Sequence, residues 1–259
     1  MRKSQILGIL VLPVLFAFPA RAPAQILDAQ ALMGQALNPG LSGELTFSAH
    51  LRSGNSELWS LSGAPHVRYL AEPHRFLLTI SGEFGESQGQ RSVNQWATHL
   101  RYRYPLNERW DLEAFSQAQF DEFRRLDLRL LLGGGTRRSL DLGLDDAAVG
   151  LAIMAEDEHL EGSVPGADPS LDATLLRASL YLTASHAVSD GWSLSSTTYA
   201  QPSIVGGGAL RLTSSSSVEA QPAGRVAILV GFSVAYDHSP PADVKSTDVL
   251  LETGLKIDF

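Results

Sequence analysis

Apolar and polar residues alternate along most of the chain after Gly43. In the stretch ELTFSAHLR, Leu45, Phe47 and Leu51 fall on one face, and polar residues fall between them. Successive side chains of a β-strand point to opposite faces, so this period of two predicts a strand with one apolar face. We count twelve such segments, the last of them LETGLKIDF at the C-terminus. Each is roughly 10–13 residues long, enough for a tilted strand to cross a bilayer.

The apolar faces decide between a soluble β-protein, whose apolar face points inward, and a membrane barrel, whose apolar face meets lipid. Asp, Glu, Lys and Arg are absent from these faces within the predicted spans. Lipid enforces such an exclusion, because a basic residue at mid-membrane costs about 2–4 kcal/mol. Aromatic residues gather at both ends of the strands, as in the two girdles of membrane barrels. The sequence therefore predicts an all-β fold, a transmembrane antiparallel up-and-down β-barrel of about 12 strands over residues 43–259.

The N-terminus has a different pattern. Residues 1–24 begin with Arg2 and Lys3, continue with an apolar run over 6–18 and end on the small residues around Ala24, which predicts a cleaved secretory signal peptide. An uncleaved anchor helix is the alternative, but the run is shorter than a membrane span. Residues 25–42 predict a short periplasmic segment before the barrel, with a short helix over 25–37. With this signal, the predicted location is the outer membrane of a Gram-negative bacterium.

Composition narrows the classes of function. The net charge is −8, so nucleic acid is not an expected partner. The chain has no cysteine, which excludes disulfides, thiolate metal sites and cysteine nucleophiles. No motif predicts a cofactor or a metal site.

The polar faces carry many charges of both signs, and parity directs them into the barrel lumen. We expect them to pair across the interior and to narrow any pore. The predicted lumen-facing charged residues are Arg68, Glu83, Arg101, Arg103, Asp111, Glu113, Arg129, Arg177, Arg211, Glu252 and Lys256.

Two predicted outer segments invite a binding function. The arginines of EFRRLD could contact lipopolysaccharide phosphates, since Arg grips phosphate through two parallel hydrogen bonds, but a solvated turn is the simpler interpretation. The acidic stretch EDEHLEGSVPGADPSLD, within the longest predicted loop at roughly 157–173, could bind a divalent cation. Its spacing matches no calcium loop, so a solvated loop is favoured.

Two further features bear on function. His50, His66 and His99 point into the lumen by parity, away from lipid, so a lipid-acting hydrolase is only a minor alternative and we expect no enzymatic activity. Hydroxyl side chains break the apolar face in two neighbouring strands, at residues 196–198 and 214–216. Bare hydroxyls in lipid are unfavourable without partners. The sequence leaves open a contact with another protomer, cover by an N-terminal segment, or a slip in strand register.

The chain resembles a known family along RYRYPLNERWDLEAFSQAQFDEFRRLDLRLLLGGGTRRSL. The features that carry the resemblance are Gly54-Asn55, the turn from Tyr104 to Trp110, Phe115-Ser116-Gln117, Phe123-Arg124, and Arg129 followed by Gly133 to Gly135. They are similar to the salt-induced outer-membrane protein family, domain of unknown function 481. The resemblance covers roughly residues 43–259 and implies an outer-membrane β-barrel. It implies no activity, and no functional residue is carried over.

Two functions of different classes remain. A charged lumen with glycines that leave space favours a narrow passive channel for small polar solutes. A lumen crowded with Arg and Glu favours a non-conducting structural or envelope-stress surface protein. The class also implies contacts with membrane lipid and lipopolysaccharide, and with the barrel-assembly machinery during biogenesis. Leu255, Ile257 and Phe259 resemble a C-terminal assembly signal. The oligomeric state stays open.

Overall fold

Twelve antiparallel strands close into one barrel. The computed structural model describes residues 29–34, 39–53, 57–162, 172–205 and 209–259. The elements are α1 Ala29–Gly34, β1 Gly40–Arg52, β2 Leu58–Ala71, β3 His74–Ser87, β4 Gln90–Pro105, β5 Trp110–Asp121, β6 Leu126–Ser139, β7 Asp146–Leu160, β8 Asp172–Ser189, β9 Trp192–Pro202, β10 Leu210–Ala223, β11 Val226–Asp237 and β12 Thr247–Asp258. Each strand pairs with its neighbours in sequence, and β1 pairs with β12. The predicted twelve-strand barrel is confirmed.

The two ends of the barrel differ. We call the end where β1 begins and β12 finishes the turn end, because short turns join β2 to β3 and β8 to β9 there. We call the opposite end the loop end, where a 3₁₀ turn over Glu122–Arg124 connects β5 to β6. Asn94 and Arg91 of β4 donate hydrogen bonds to Glu122 in that turn. These bonds hold the pKa of the Glu122 carboxyl below its usual value.

Large apolar side chains cover the outside of the barrel. On β1 and β2 the outward residues Leu45, Phe47 and Leu61 are exposed, whereas inward polar residues such as Ser62 are buried. This reverses the distribution of a soluble protein, whose surface rarely shows a continuous apolar area of this size. Aromatic pairs reinforce the surface; the ring centroids of Trp59 and Phe84 are 5.6 Å apart. No helix among the described residues is long and apolar enough to cross a membrane.

The hydroxyl-bearing outer face on β9 and β10 has an internal explanation. Ser196 lies opposite Ser216 and Thr198 opposite Ser214, and no register shift interrupts this strand pair. The hydroxyl oxygens of each opposed pair are 2.9 Å apart, so each side chain has a partner on the next strand. A slip in register is therefore wrong, and the hydroxyl groups satisfy one another without help from a second protein.

Two differences from the sequence predictions concern boundaries. Residues 29–34 of the helix predicted over 25–37 are helical, and the rest of that range lies outside the described residues. β1 begins at Gly40, before the predicted start of the barrel at residue 43. The loop predicted at roughly 157–173 is also shorter, because β7 continues to Leu160 and β8 begins at Asp172. There β7 and β8 extend beyond the apolar outer surface, and polar residues continue the pairing of the two strands. The predicted signal peptide, residues 1–24, lies outside the described residues, and so does Gly54-Asn55.

Candidate functional site: the barrel lumen

Helix α1 lies inside the barrel rather than beyond its end. Met33 packs with Ala29 against Leu77, an inward residue of β3, and both Met33 and Leu77 are fully buried. A separate periplasmic segment was expected here; the described part of it, residues 29–34, is enclosed by the strands. An apolar helix face needs an apolar surface, and the inward Leu77 supplies it.

Two arginines hold the end of α1. Arg68 Nη1 donates to the carbonyl oxygen of Leu32 at 3.3 Å, and Arg103 Nη1 donates to that of Met33 at 3.4 Å. The last carbonyls of a helix lack intrahelical partners and carry partial negative charge, so cationic donors suit them. Arg103 Nη2 also donates to Gln30 Oε1 at 2.7 Å, and Gln30 is buried. The helix is therefore fixed inside the lumen by charged and polar side chains of the wall.

Glu113 on β5 is the centre of the first charged cluster. Its carboxylate accepts from Arg101 Nη1 at 3.0 Å and from Arg103 Nε at 3.0 Å. Tyr181 on β8, three strands along the wall, donates its hydroxyl to the same carboxylate at 2.7 Å. Glycine at position 150 is needed here, because a Cβ at that position would run into the Tyr181 ring. This cluster joins β4 and β5 to β8 across the lumen.

A second charged cluster lies nearer the loop end. Arg211 on β10 contacts Glu156 at 2.6 Å and Glu158 at 2.8 Å, both on β7, and Asp237 on β11 at 2.7 Å. Arg177 also binds Glu156, at 3.2 Å. Because β8 and β9 separate β7 from β10, the side chain of Arg211 reaches across the interior. These ion pairs narrow the loop-end half of the lumen.

The five remaining predicted lumen residues lie in four different settings. Asp111 meets Arg137 at 3.3 Å near the turn end, and Arg137 also binds Asp146. Arg129 contacts Glu158 at 3.8 Å and donates to Gln119. Glu83 accepts a hydrogen bond from Gln95 at 2.9 Å. Glu252 and Lys256 line a cavity.

The lumen also contains an apolar cluster that the sequence reasoning missed. Phe115, Leu131, Ala152 and Met154 pack together on neighbouring strands, and all four are buried. Arg101 lies over the Phe115 ring, 5.0 Å from its centroid. A signal was available: in the run Leu130-Leu131-Leu132 the middle residue has inward parity and is apolar. The acidic partners Glu156 and Glu158 were missed because their segment was assigned to a loop.

A cavity of about 440 Å³ lies between α1 and the wall formed by β9 to β12. Serine hydroxyls line much of it, and the Oγ atoms of Ser195 and Ser217 are 2.7 Å apart. Glu44, Glu219, Glu252 and Lys256 line it, and so do Asp145 and His186 toward the turn end. Lys256 Nζ lies 2.5 Å from Glu219 and 3.9 Å from Glu44. The cavity can accommodate a small polar molecule with several hydrogen bonds.

The three inward histidines lie in different surroundings. His99 Nδ1 lies 3.3 Å from Gln117 Oε1, and Arg101 Nε donates to His99 Nε2 at 3.2 Å. His66 is buried and lines the cavity, whereas His50 is exposed near the loop end. Within the described ranges, no three His, Asp or Glu side chains are grouped so that they could hold a metal ion.

The predicted assembly residues lie on the outside at the turn end. Leu255, Ile257 and Phe259 are exposed on β12 and just after it. Gly43 and Phe259 exchange two backbone hydrogen bonds of 2.9 Å, so the final residue takes part in barrel closure.

Comparison of the sequence with family models gives one match. The model described as "Protein of unknown function, DUF481" covers residues 45–259. The chain belongs to this family. The resemblance drawn from the sequence is thereby confirmed, and DUF481 spans the barrel from early β1 to the last residue. No curated protein matches the chain.

Solved structures share the architecture with this DUF481 protein at low identity. The translocator domain of autotransporter NalP from Neisseria meningitidis is 13% identical, with 90% of this chain and 93% of that chain covered and a TM-score of 0.49. The NanC porin is 8% identical, covers 84% and 97%, and has a TM-score of 0.45. The β domain of the Bordetella autotransporter BrkA is 11% identical, covers 85% and 99%, and has a TM-score of 0.43. These likenesses concern the fold alone.

Proposed function

We propose that this protein resides in the outer membrane and works as a narrow passive channel for small polar solutes. The observation that carries the proposal is the cavity of about 440 Å³ beside α1, with its hydroxyl-rich wall. Serine hydroxyls both donate and accept hydrogen bonds, so they can replace part of the hydration shell of a solute. The apolar outer surface supports the membrane location, where lipid and lipopolysaccharide would surround the barrel.

The route follows the serine-bearing wall of the cavity. The helix and the Glu113 cluster occupy part of the lumen, whereas Ser193, Ser195, Ser215 and Ser217 line the cavity on β9 and β10. A twelve-strand barrel is intermediate between small filled barrels and wide porins. The passage expected from this arrangement is narrow, and charge at its wall influences which solutes enter.

A second candidate is a non-conducting envelope protein. The ion pairs of Arg211 with Glu156 and Glu158 cross the lumen and support this alternative, because they occupy the loop-end half. The two functions differ in a single measurable property, the flow of ions through the closed barrel.

Conductance of the refolded protein in a planar bilayer tests the proposal. We expect small, uniform current steps. Ser195→Trp places a large side chain in the cavity and is expected to reduce the step size severalfold. Ser196→Trp, on the neighbouring outward position of the same strand, is the matched control and leaves the steps unchanged.

The outcomes separate the candidates. A flat trace for the wild-type protein at all voltages overturns the channel and favours the non-conducting protein. Equal steps for wild type and Ser195→Trp mean that ions do not pass along the serine wall.

A further inference from the structure

Serine hydroxyls form one wall of the cavity beside α1. Ser193 and Ser195 of β9 and Ser215 and Ser217 of β10 line it. The Oγ atoms of Ser195 and Ser217 are 2.7 Å apart, so a hydrogen bond joins them. Each hydroxyl group can donate one hydrogen bond and accept two, and the bond between the pair uses one donor and one acceptor position. The pair therefore keeps a donor and several acceptor positions for a molecule in the cavity.

A buried polar atom in the cavity wall has no partner among the described residues. His66 of β2 lines the cavity and is only 4% exposed, and its Nδ1 is the atom without a hydrogen bond. Thr79, which pairs with His66 across β2 and β3, is fully buried, and its Oγ1 is also unsatisfied within the part of the chain that the structure describes. Buried polar atoms almost always have partners. Two exceptions on facing residues beside a cavity indicate that a bound molecule supplies hydrogen bonds there.

The three glutamates of the cavity already have partners. Lys256 Nζ lies 2.5 Å from Glu219 and 3.9 Å from Glu44. Arg68 Nη2 donates to Glu44 at 2.6 Å, and Glu252 also interacts with another group. An anionic solute would be repelled by these carboxylates, and a cationic solute would have to displace Lys256 or Arg68 from them. The site therefore favours an uncharged solute.

The size of the cavity and its apolar part narrow the class of solute further. The volume of about 440 Å³ lies within the range of about 300–1,000 Å³ that is typical of small-molecule sites. Leu32 of α1 and Leu229 of β11 also line the cavity. A sugar ring carries hydroxyl groups around its edge and C–H groups on its faces, so it matches serine hydroxyls and leucine side chains together.

We propose that the cavity binds a neutral polyhydroxylated solute of monosaccharide size. The Ser195–Ser217 pair and its serine neighbours form hydrogen bonds with the hydroxyl groups of the solute, and His66 Nδ1 forms one more. This site rests on the proposed channel function and names the class of its solute. Binding is measured without current, so failure of the site and failure of the channel can be told apart.

Calorimetric titration of glucose into the refolded protein in lipid nanodiscs tests the site, and we expect saturable binding. Ser195→Ala with Ser217→Ala removes the inward hydroxyl pair and should weaken glucose binding at least tenfold. Ser196→Ala with Ser216→Ala is the matched control. It removes an outward hydroxyl pair of the same two strands, whose oxygens are 2.9 Å apart, and should leave binding unchanged. Equal affinity of the two double variants, or no saturable binding by the wild-type protein, overturns the proposal.

His66 provides a readout that does not depend on the serine variants. In protein isotopically labelled at histidine, the chemical shift of His66 Nδ1 should change with the same saturation curve as the heat of binding. His66→Phe keeps a flat ring without the nitrogen, assigns the signal and should weaken glucose binding about tenfold. His50→Phe, at the exposed inward position near the loop end, is the control and should bind glucose like wild type. An unchanged His66 signal at saturating glucose means that the solute does not reach the assigned site and overturns it.

Analogues of glucose test the class of solute. Glucuronate and glucosamine keep the ring and add a negative or a positive charge, and each should bind at least tenfold more weakly than glucose. Glucosamine that binds as tightly as glucose contradicts the preference for a neutral solute. Cyclohexanol, a ring with a single hydroxyl group, should not compete with glucose, and equal competition contradicts recognition by hydrogen bonds. Current steps without glucose binding overturn this site and leave the channel, whereas saturable binding with a flat trace overturns the channel alone.

Discussion

Replacing Glu113 by glutamine tests whether the lumen cluster stabilises the barrel. Glu113→Gln keeps the shape of the side chain and removes its charge. Arg101 and Arg103 then remain almost fully buried, at 3% and 1% exposure, with their anionic partner gone. Removal of one partner from a buried ion pair typically costs about 3–5 kcal/mol, since the remaining charge stays out of water.

The expected loss lies at the lower end of that range. The glutamine carbonyl can still accept one hydrogen bond, and the Arg103 guanidinium keeps Gln30 and the carbonyl of Met33. We therefore expect a loss of about 3 kcal/mol in the free energy of unfolding, which corresponds to about a 100-fold change in the unfolding equilibrium. Urea unfolding of the refolded barrel in lipid, followed by the fluorescence of its 4 tryptophans, measures it.

The matched control is Glu122→Gln at the loop end. Glu122 also binds an arginine, Arg91 at 2.6 Å, but both side chains are partly exposed, 31% and 51%. Exposed ion pairs contribute about 0–1 kcal/mol, so this variant should remain close to wild type. If Glu113→Gln and Glu122→Gln lose equal stability, the lumen cluster is hydrated and the reasoning from burial is wrong.

The other predictions concern packing and closure. Gly150→Ala should lower the free energy of unfolding by about 1–3 kcal/mol, because the added methyl group meets the Tyr181 ring. Gly63→Ala is the control, since a Cβ there meets no atom within 4 Å, and its stability in the same urea assay should lie within about 0.5 kcal/mol of wild type. Equal losses would contradict the close approach at residue 150. Deletion of Phe259 removes both backbone hydrogen bonds to Gly43 and should reduce the heat-modifiable, folded fraction in the outer membrane. A normal folded fraction after this deletion would refute a role in assembly.

The barrel could be predicted because its outer surface obeys a simple rule. Lipid tolerates almost no charge, so residues such as Leu45, Phe47 and Leu255 fix the parity of their strands. Once parity is known, the inward direction of Arg103 or Arg211 follows without further information. The register of β9 against β10 was less certain, since the outward hydroxyls of Ser196 and Ser216 weaken the contrast between the faces.

The contents of the lumen could not be predicted in the same way. Parity shows that Arg103 points inward but not which side chain it meets. Its partner Gln30 lies 73 residues earlier in a helix whose position no pattern reveals. The end of β7 was also predicted too early, before Glu156 and Glu158. Strand residues beyond the lipid zone are polar on both faces, so the alternation of apolar and polar residues no longer marks the strand.

The position of α1 has a consequence for the order in which the chain assembles. The helix precedes every strand, and it is held by Arg68 on β2 and Arg103 on β4. These contacts become available once the first four strands are in place, long before β12 reaches β1. Entry afterwards would require the helix to slide in through the end of a finished barrel whose lumen already holds the Glu113 cluster. The early hairpins can instead wrap around the helix, which then acts as an internal template on which the curvature of the first half of the barrel is established.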